Sequence, residues 1–406
     1  MPGINTFVFK ITSFCNLNCT YCYVFNAGDT SYMRRPRVMP LETAEAAVAK
    51  IAAYATAAGI HRVYIVLHGG EPMLAGKEWF RQFARAVCSY STSELAIVLS
   101  MQTNGVLLDQ EWLDLLCELN ISFGVSLDGP EAINDRARVN HAGKGSYRQI
   151  VDALKKIESH PAAPRYFGGV LCVIDPSQDG LAIYRHFRDL GLSQIDFLMP
   201  HDYNWDRLPP YFGTPNDSPI ADYLIPIFDD WWKENDPSVK IRIFEIILSL
   251  VFGKKRVLDS LGGFPLEEAV VEADGSFEPL DVLRECGNGF TDIGLNIVTD
   301  SFEDFLSHPL IQLGLRGNQG LCETCKACAL HDICGGGYLP HRYGAGRGFQ
   351  NPSIHCRDLW RLITHIIHTA SEACMPKTDS LAAAQEDAYV TSPDTTHNDF
   401  VGGYAL

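Results

Sequence analysis

The segment SFCNLNCTYCYVFN, Ser13 to Asn26, holds three thiols, Cys15, Cys19 and Cys22, within eight positions. A disulfide needs paired partners, and a closed structural zinc site takes four ligands, commonly from two paired knuckles. Three thiolates in one short loop leave one corner of a cubic iron–sulfur cluster without a protein ligand. An open metal position is what catalytic sites keep and structural sites close. A three-thiolate zinc or structural cluster site is the alternative for the same spacing. A second concentration of sulfur lies downstream. Cys322, Cys325, Cys328, Cys334 and Cys356 sit on a glycine-rich, irregular stretch unsuited to helix packing, and Cys286 lies upstream of it.

These groups need elements to position them. Short β-branched runs alternate with helical windows such as LETAEAAVAKIAAYATAAG and QEWLDLLCELN. The expected strands are FVFKI (Phe7–Ile11), RVYIVL (Arg62–Leu67), AIVLSM (Ala96–Met101), ISFGVS (Ile121–Ser126), FGGVLCVI (Phe167–Ile174) and IDFLM (Ile195–Met199). Six βα units predict an α/β protein with parallel strands in a full or partial barrel, whose site lies at the carboxyl ends of the strands. Polar and glycine-rich signals stand at those ends: the cysteine loop, HGGEP, QTNG and SLDGP. The barrel is expected over residues 1–236, a cysteine-rich region over 237–374, and a disordered polar tail over 375–406. IRIFEIILSLVFG reads as an amphipathic helix, and no apolar run approaches the ~20 residues that span a bilayer. A formal charge of −16 argues against a nucleic-acid partner, and MRRPR (Met33–Arg37) reads as a solvated loop. Thirteen clustered cysteines without a signal peptide predict a cytoplasmic metalloprotein, with Cys88, Cys117, Cys172 and Cys374 as core residues.

A Cys-x3-Cys-x2-Cys loop after the first strand of a βα barrel, with the aromatic Tyr21 before its third cysteine, resembles the radical S-adenosylmethionine (SAM) superfamily. The resemblance covers roughly residues 7 to 360. It implies that Cys15, Cys19 and Cys22 hold a [4Fe–4S] cluster whose open iron is chelated by SAM, giving a 5′-deoxyadenosyl radical. It further implies that Gly69, Gly70 and Glu71 bind the SAM ammonium. Asn104, Ser126 and Asp128 become candidates for its ribose and carboxylate. Arg138 is the candidate carboxylate partner, with Arg136 an equal alternative on sequence alone. Turn or capping roles are the plainer readings of each.

The downstream run resembles the SPASM extension, the auxiliary-cluster domain of peptide-modifying radical SAM enzymes. Cys325, Cys328, Cys334 and Cys356 match its pattern and Tyr338 replaces one cysteine, which implies one complete auxiliary [4Fe–4S] cluster. A second cluster, with Cys286 and Cys322 among its ligands, stays open, as does a zinc ribbon. The segments around VVEADGSFEPLDVLRECG and CGGGYLPHRY look most like FxsB-type maturases, which crosslink an aromatic ring to a β-carbon (a cyclophane) in a ribosomally made precursor peptide. Asp281 falls where related sulfatase-maturing enzymes place a proton acceptor, and a turn carboxylate is its alternative. His201 after the sixth strand is a second catalytic candidate. The expected partners are a precursor peptide and an electron donor such as flavodoxin or ferredoxin, with neither nucleic acid nor membrane. No leader-binding domain is expected before the barrel. Formylglycine formation on a sulfatase, or thioether or epimerisation chemistry, is the alternative activity.

Overall fold

The computed structural model describes residues 3–201, 203–255 and 258–374. The expected tail lies outside the described residues. Six parallel strands form the barrel wall: β1 (Thr6–Thr12), β2 (Arg62–Gly69), β3 (Ala96–Thr103), β4 (Ser122–Ser126), β5 (Phe167–Val173) and β6 (Gln194–Leu198). Each coincides with an expected run. The helices between them are α1 (Leu41–Ala58), α2 (Lys77–Tyr90), α3 (Gln110–Glu118), α4 (Glu131–Ala137), α5 (Tyr147–Ser159), α6 (Gly180–Asp189) and α7 (Pro219–Glu234). In α1 the buried Ala44, Ala47, Val48, Ile51 and Ala55 recur at helical spacing, and Gly59 at φ +69° ends the helix in the left-handed conformation that glycine adopts without penalty.

The sheet order is β7-β6-β5-β4-β3-β2-β1-β8-β9, an open arc and so a partial barrel. Three strands come from beyond Asp236. Strand β7 (Lys240–Ile241) adds to β6, and β8 (Glu268–Val271) lies parallel to β1 before turning back as β9 (Phe277–Glu278). All seven residues of β1 are buried, as in a sheet covered on both faces. Phe7, Phe9 and Ile11 face the helical layer. Val8 meets Val66 and Val270 in a small cluster of their own. The expected amphipathic helix is α8 (Arg242–Val251), burying Ile243, Phe244, Ile246 and Ile247. Short helices α9 (Phe302–Ser307), α10 (Pro309–Leu315), α11 (Glu323–Lys326) and α12 (His331–Cys334) lead to the long α13 (Cys356–Cys374). Among the described residues no helix is long and apolar enough to cross a membrane.

Two local expectations fail. Cys88 and Cys374 are exposed rather than core, whereas Cys172 is fully buried. In MRRPR, Met33 is exposed but the Arg35 side chain is buried, paired with Glu272 at 2.9 Å and with Glu278. The buried Arg284 joins the same network, reaching Asp29 at 2.7 Å and Glu278 at 2.7 Å. Two guanidiniums thus bolt the segment after the cysteine loop to the β8–β9 hairpin. A buried charge demands such pairing, and a local window of sequence does not show partners some 240 residues away.

Candidate active site

The loop after β1 carries Cys15, Cys19 and Cys22 to one wall of a cavity at the mouth of the barrel. The opposite walls come from the ends of the other strands: Gly69 and Gly70, Asn104, Ser126 with Arg138, Leu171 with Val173, and His201. Leu171 and Val173, both on β5, give that wall an apolar face. A larger apolar groove of about 920 Å3 between α1 and α9–α10 contains no thiol and no strand end.

The two glycines have a reason visible in the backbone. A Cβ on Gly70 would sit 2.1 Å from the carbonyl oxygen of Phe14, and one on Gly69, at φ +134°, 2.3 Å from that of Thr12. They let the end of β2 press against the cysteine loop itself. Glu71, expected to face a ligand ammonium, is fully buried and turned to the protein. It accepts hydrogen bonds from the Met73 amide at 3.1 Å, the Thr103 hydroxyl at 2.8 Å and the Asn104 amide at 2.8 Å. Burial pushes its carboxyl up to about 7 against those bonds. It ties β2 to β3 and does not line the cavity. Asn104 does, its amide nitrogen 2.7 Å from the Asn16 side chain and 3.6 Å from the Cys15 sulfur.

Arg138 is buried at the cavity wall, while Arg136 is exposed. Arg138 donates to the Tyr21 hydroxyl at 2.6 Å, and Tyr21 in turn donates to Asp128 at 2.6 Å. Asp128 also accepts from the Val173 amide at 3.1 Å. It stands behind Tyr21 rather than on the cavity surface. Ser126 accepts from Gln102 at 3.0 Å. Two buried polar atoms on cavity residues lack a protein partner, Arg138 Nε and Gln102 Oε1. A buried guanidinium N–H left open is a place for a carboxylate oxygen.

Asp281, at the first turn of a 3-10 helix Asp281–Cys286, is buried next to the cavity. It accepts from the Tyr23 hydroxyl at 2.7 Å and is ion-paired with Lys10. Lys10 also contacts the Tyr23 hydroxyl at 3.1 Å and His68 Nδ1 at 3.0 Å. Burial raises the Asp281 carboxyl, but Lys10, then His68 and Arg284, outweigh it and hold it near 2. Tyr23 and His68 line the cavity, so Asp281 communicates with it through them. His201 lines it directly, with Nδ1 3.0 Å from Glu285 and 3.3 Å from the Tyr338 hydroxyl. Sequence reasoning missed Lys10, Tyr23 and Glu285. For Lys10 a signal existed: a lone charge inside the apolar run FVFKI.

Downstream, Cys325 is pushed up to about 12 by burial, then by a hydrogen bond and charge from Cys322, then by Cys334 and Cys356. Cys334 is pushed up to about 11 by burial, with Cys356 and Cys328 adding. Cys322 therefore stands with Cys325, Cys328, Cys334 and Cys356 in one set of five thiols. Cys286 is not brought to them. Its neighbours are Glu285 and Asp206, and it packs on the apolar cluster of Leu280, Leu283, Tyr338 and Phe349. The pairing of Cys286 with Cys322 is not seen.

Both thiol sets suit iron–sulfur clusters. Burial pushes Cys15 up to about 12, with Glu71 adding, so its thiolate needs a metal to persist. Among the described residues no three ligating side chains converge on a single-ion site. A four-iron cluster instead spreads its thiolates, one to each iron. Residues 9–161 match the family model described as the Radical SAM superfamily. The chain is 27% identical over 371 residues to a cysteine-type anaerobic sulfatase-maturating enzyme of Clostridium novyi, covering 88% of this chain and 93% of that one. It is 24% identical over 374 residues to a serine-type anaerobic sulfatase-maturating enzyme of Bacteroides thetaiotaomicron, covering 87% and 86%. Among solved structures it resembles native anSMEcpe with bound AdoMet and Cp18Cys peptide, at TM-score 0.76 and 23% identity over 91% of this chain and 99% of that one. Over residues 9–161 the chain thus matches the radical SAM family, and its two thiol sets suit the SAM-bound [4Fe–4S] cluster of that family and at least one auxiliary [4Fe–4S] cluster.

Proposed function

We propose that this enzyme oxidises a side chain of a peptide substrate by two electrons, and that conversion of a cysteine or serine to formylglycine is its first candidate reaction. The observation that carries the oxidation is the Tyr23–Asp281 hydrogen bond at the cavity wall, a buried ionised carboxylate one hydroxyl away from where the radical forms. The peptide and the formylglycine reading are supported by the sulfatase-maturating relatives and by the peptide named in the related structure. SAM on the three-cysteine cluster supplies the hydrogen-abstracting 5′-deoxyadenosyl group, its electron coming from a donor such as flavodoxin or ferredoxin. Arg138 holds the SAM carboxylate through its open Nε, and Leu171 and Val173 pack its apolar face. Asn104 and Ser126 stand as polar contacts beside them. Tyr23 passes the substrate proton to Asp281, and His201 is the alternative acceptor on the same wall. An auxiliary cluster held by the five-thiol set would take the second electron.

A specific observation favours a second reading, the aromatic-to-β-carbon crosslink. Sulfatase maturation is expected to use two complete auxiliary clusters. Here Tyr338 and Leu280 fill an apolar cluster with Cys286 at its margin, which leaves one thiol set. Asp281→Asn tests the shared mechanism: SAM should still be cleaved while little oxidised peptide forms, since asparagine keeps the shape and removes the base. Full product from that variant would remove Asp281 from the reaction. Mass spectrometry separates the two products. Formylglycine carries a hydrazide-reactive aldehyde, whereas a crosslink loses two hydrogens without one.

A further inference from the structure

Five aromatic rings run in single file from the radical cavity to the auxiliary thiols. Tyr23, which follows Cys22, lies 5.4 Å between centroids from His201. His201 lies 5.6 Å from Tyr338, Tyr338 5.0 Å from His341, and His341 4.7 Å from His355. His355 immediately precedes Cys356. Every spacing is within ring-contact range, and each of the five residues is at least nine-tenths buried. The file is also hydrogen-bonded at its centre, where the Tyr338 hydroxyl meets His201 Nδ1.

Packing alone does not account for these residue types. His341 Nδ1 and His355 Nε2 are buried without a hydrogen-bond partner. Leucine or phenylalanine would fill the same space without stranding a ring nitrogen, and such stranded groups call for another reason. Aliphatic side chains, among them Leu283 and Leu339, flank Tyr338 and keep water from the file. Tyr338 stands where the SPASM pattern has a cysteine, so a ring occupies the ground between the two thiol sets.

We infer that the file Tyr23–His201–Tyr338–His341–His355 is the electron path between the radical cavity and the auxiliary cluster. The inference rests on the reading that the five-thiol set holds a cluster that exchanges electrons with the cavity. After hydrogen abstraction the peptide radical gives one proton to the Tyr23–Asp281 pair and one electron to the rings. The electron arrives at the auxiliary cluster, which falls from the 2+ to the 1+ state, and the oxidised side chain is left closed-shell. The rings act as a tunnelling medium and are not themselves oxidised, so the path carries electrons in either direction.

That reversibility permits a test without the peptide. The full-length, reconstituted enzyme is reduced, freed of reductant and mixed with SAM alone. The 1+ signal of the auxiliary cluster is then followed by freeze-quench electron paramagnetic resonance. In the wild type this signal should decay in a second phase, independent of protein concentration, after the radical cluster has been oxidised by SAM cleavage. Tyr338→Leu should slow that phase by an order of magnitude or more, leaving the first phase and the iron content unchanged. Tyr338→Phe, which keeps the ring, should stay near the wild-type rate. If Tyr338→Leu does not retain both clusters, His341→Leu is read in the same way. Wild-type decay in the leucine variants would overturn the path. Absence of any auxiliary signal in the wild type would instead overturn the cluster reading beneath it.

Discussion

Replacing Lys10 with methionine would remove the one lysine ammonium from the centre of the acid–base cluster while keeping most of the side chain's volume. Lys10 and Asp281 are each about 3% exposed at the side chain, and Lys10 also contacts Tyr23 and His68. Removing one partner of a buried ion pair costs about 3–5 kcal/mol, because the other charge is stranded. The carboxyl offers a second measure. Held near 2 against an ordinary 3.8, it favours the folded state by about 2–3 kcal/mol at neutral pH. Its folded value is depressed, so this stability is present above about pH 4 and lost as pH falls towards 2. In the variant, burial dominates and raises the carboxyl, so Asp281 takes up a proton as pH falls and the deficit shrinks. Urea unfolding of both proteins at pH 8, 7, 6 and 5 should therefore show the largest gap at high pH. Product formation by the variant should recover as pH rises, with SAM cleavage little affected. A gap near zero, or one that does not change with pH, would show that Lys10 and Asp281 are not coupled as described.

Glu71→Gln should lower stability by about 1–3 kcal/mol, because an amide nitrogen would face one of three donors, yet leave SAM affinity near wild type in an equilibrium titration. Gly70→Ala should abolish assembly of the first cluster, since its Cβ would overlap the Phe14 carbonyl. Iron analysis of the reconstituted variant would then show about four fewer irons than the wild type. The wild type should hold about eight irons, and Cys286→Ala should leave that count unchanged, whereas Cys334→Ala should reduce it.

The barrel was legible because its strands announce themselves twice, by β-branched runs and by the turn residues that end them. The cysteine loop, Asn104, Ser126 and Arg138 follow from that framework, since a residue at a strand end can only face the same mouth. Choosing Arg138 over Arg136 needed the structure, because α4 ends between them and only the later residue turns inward. The internal bonds of Glu71 were not legible: a glutamate after two glycines looks available to a ligand, and its three backbone and hydroxyl donors come together only in the fold. The Arg35 and Arg284 network was invisible for want of locality, as its partners lie on a hairpin far along the chain. Cys322 was separable from Cys286 only once burial and neighbours were known, because spacing alone treats them alike.

Strand β1 stands between β2 and β8, and its Thr6 pairs with Glu268. The strand that launches the cysteine loop is thus synthesised long before its second neighbour. At 5–20 residues per second, β1 waits on the order of tens of seconds for its second neighbour. The same delay holds Asp29 and Arg35 apart from Arg284, Glu272 and Glu278, which close over the segment behind the loop. The segment that follows the three thiols is therefore fastened only when the β8–β9 hairpin docks. The wait of that segment is set by how far apart the chain places the two neighbours of its first strand.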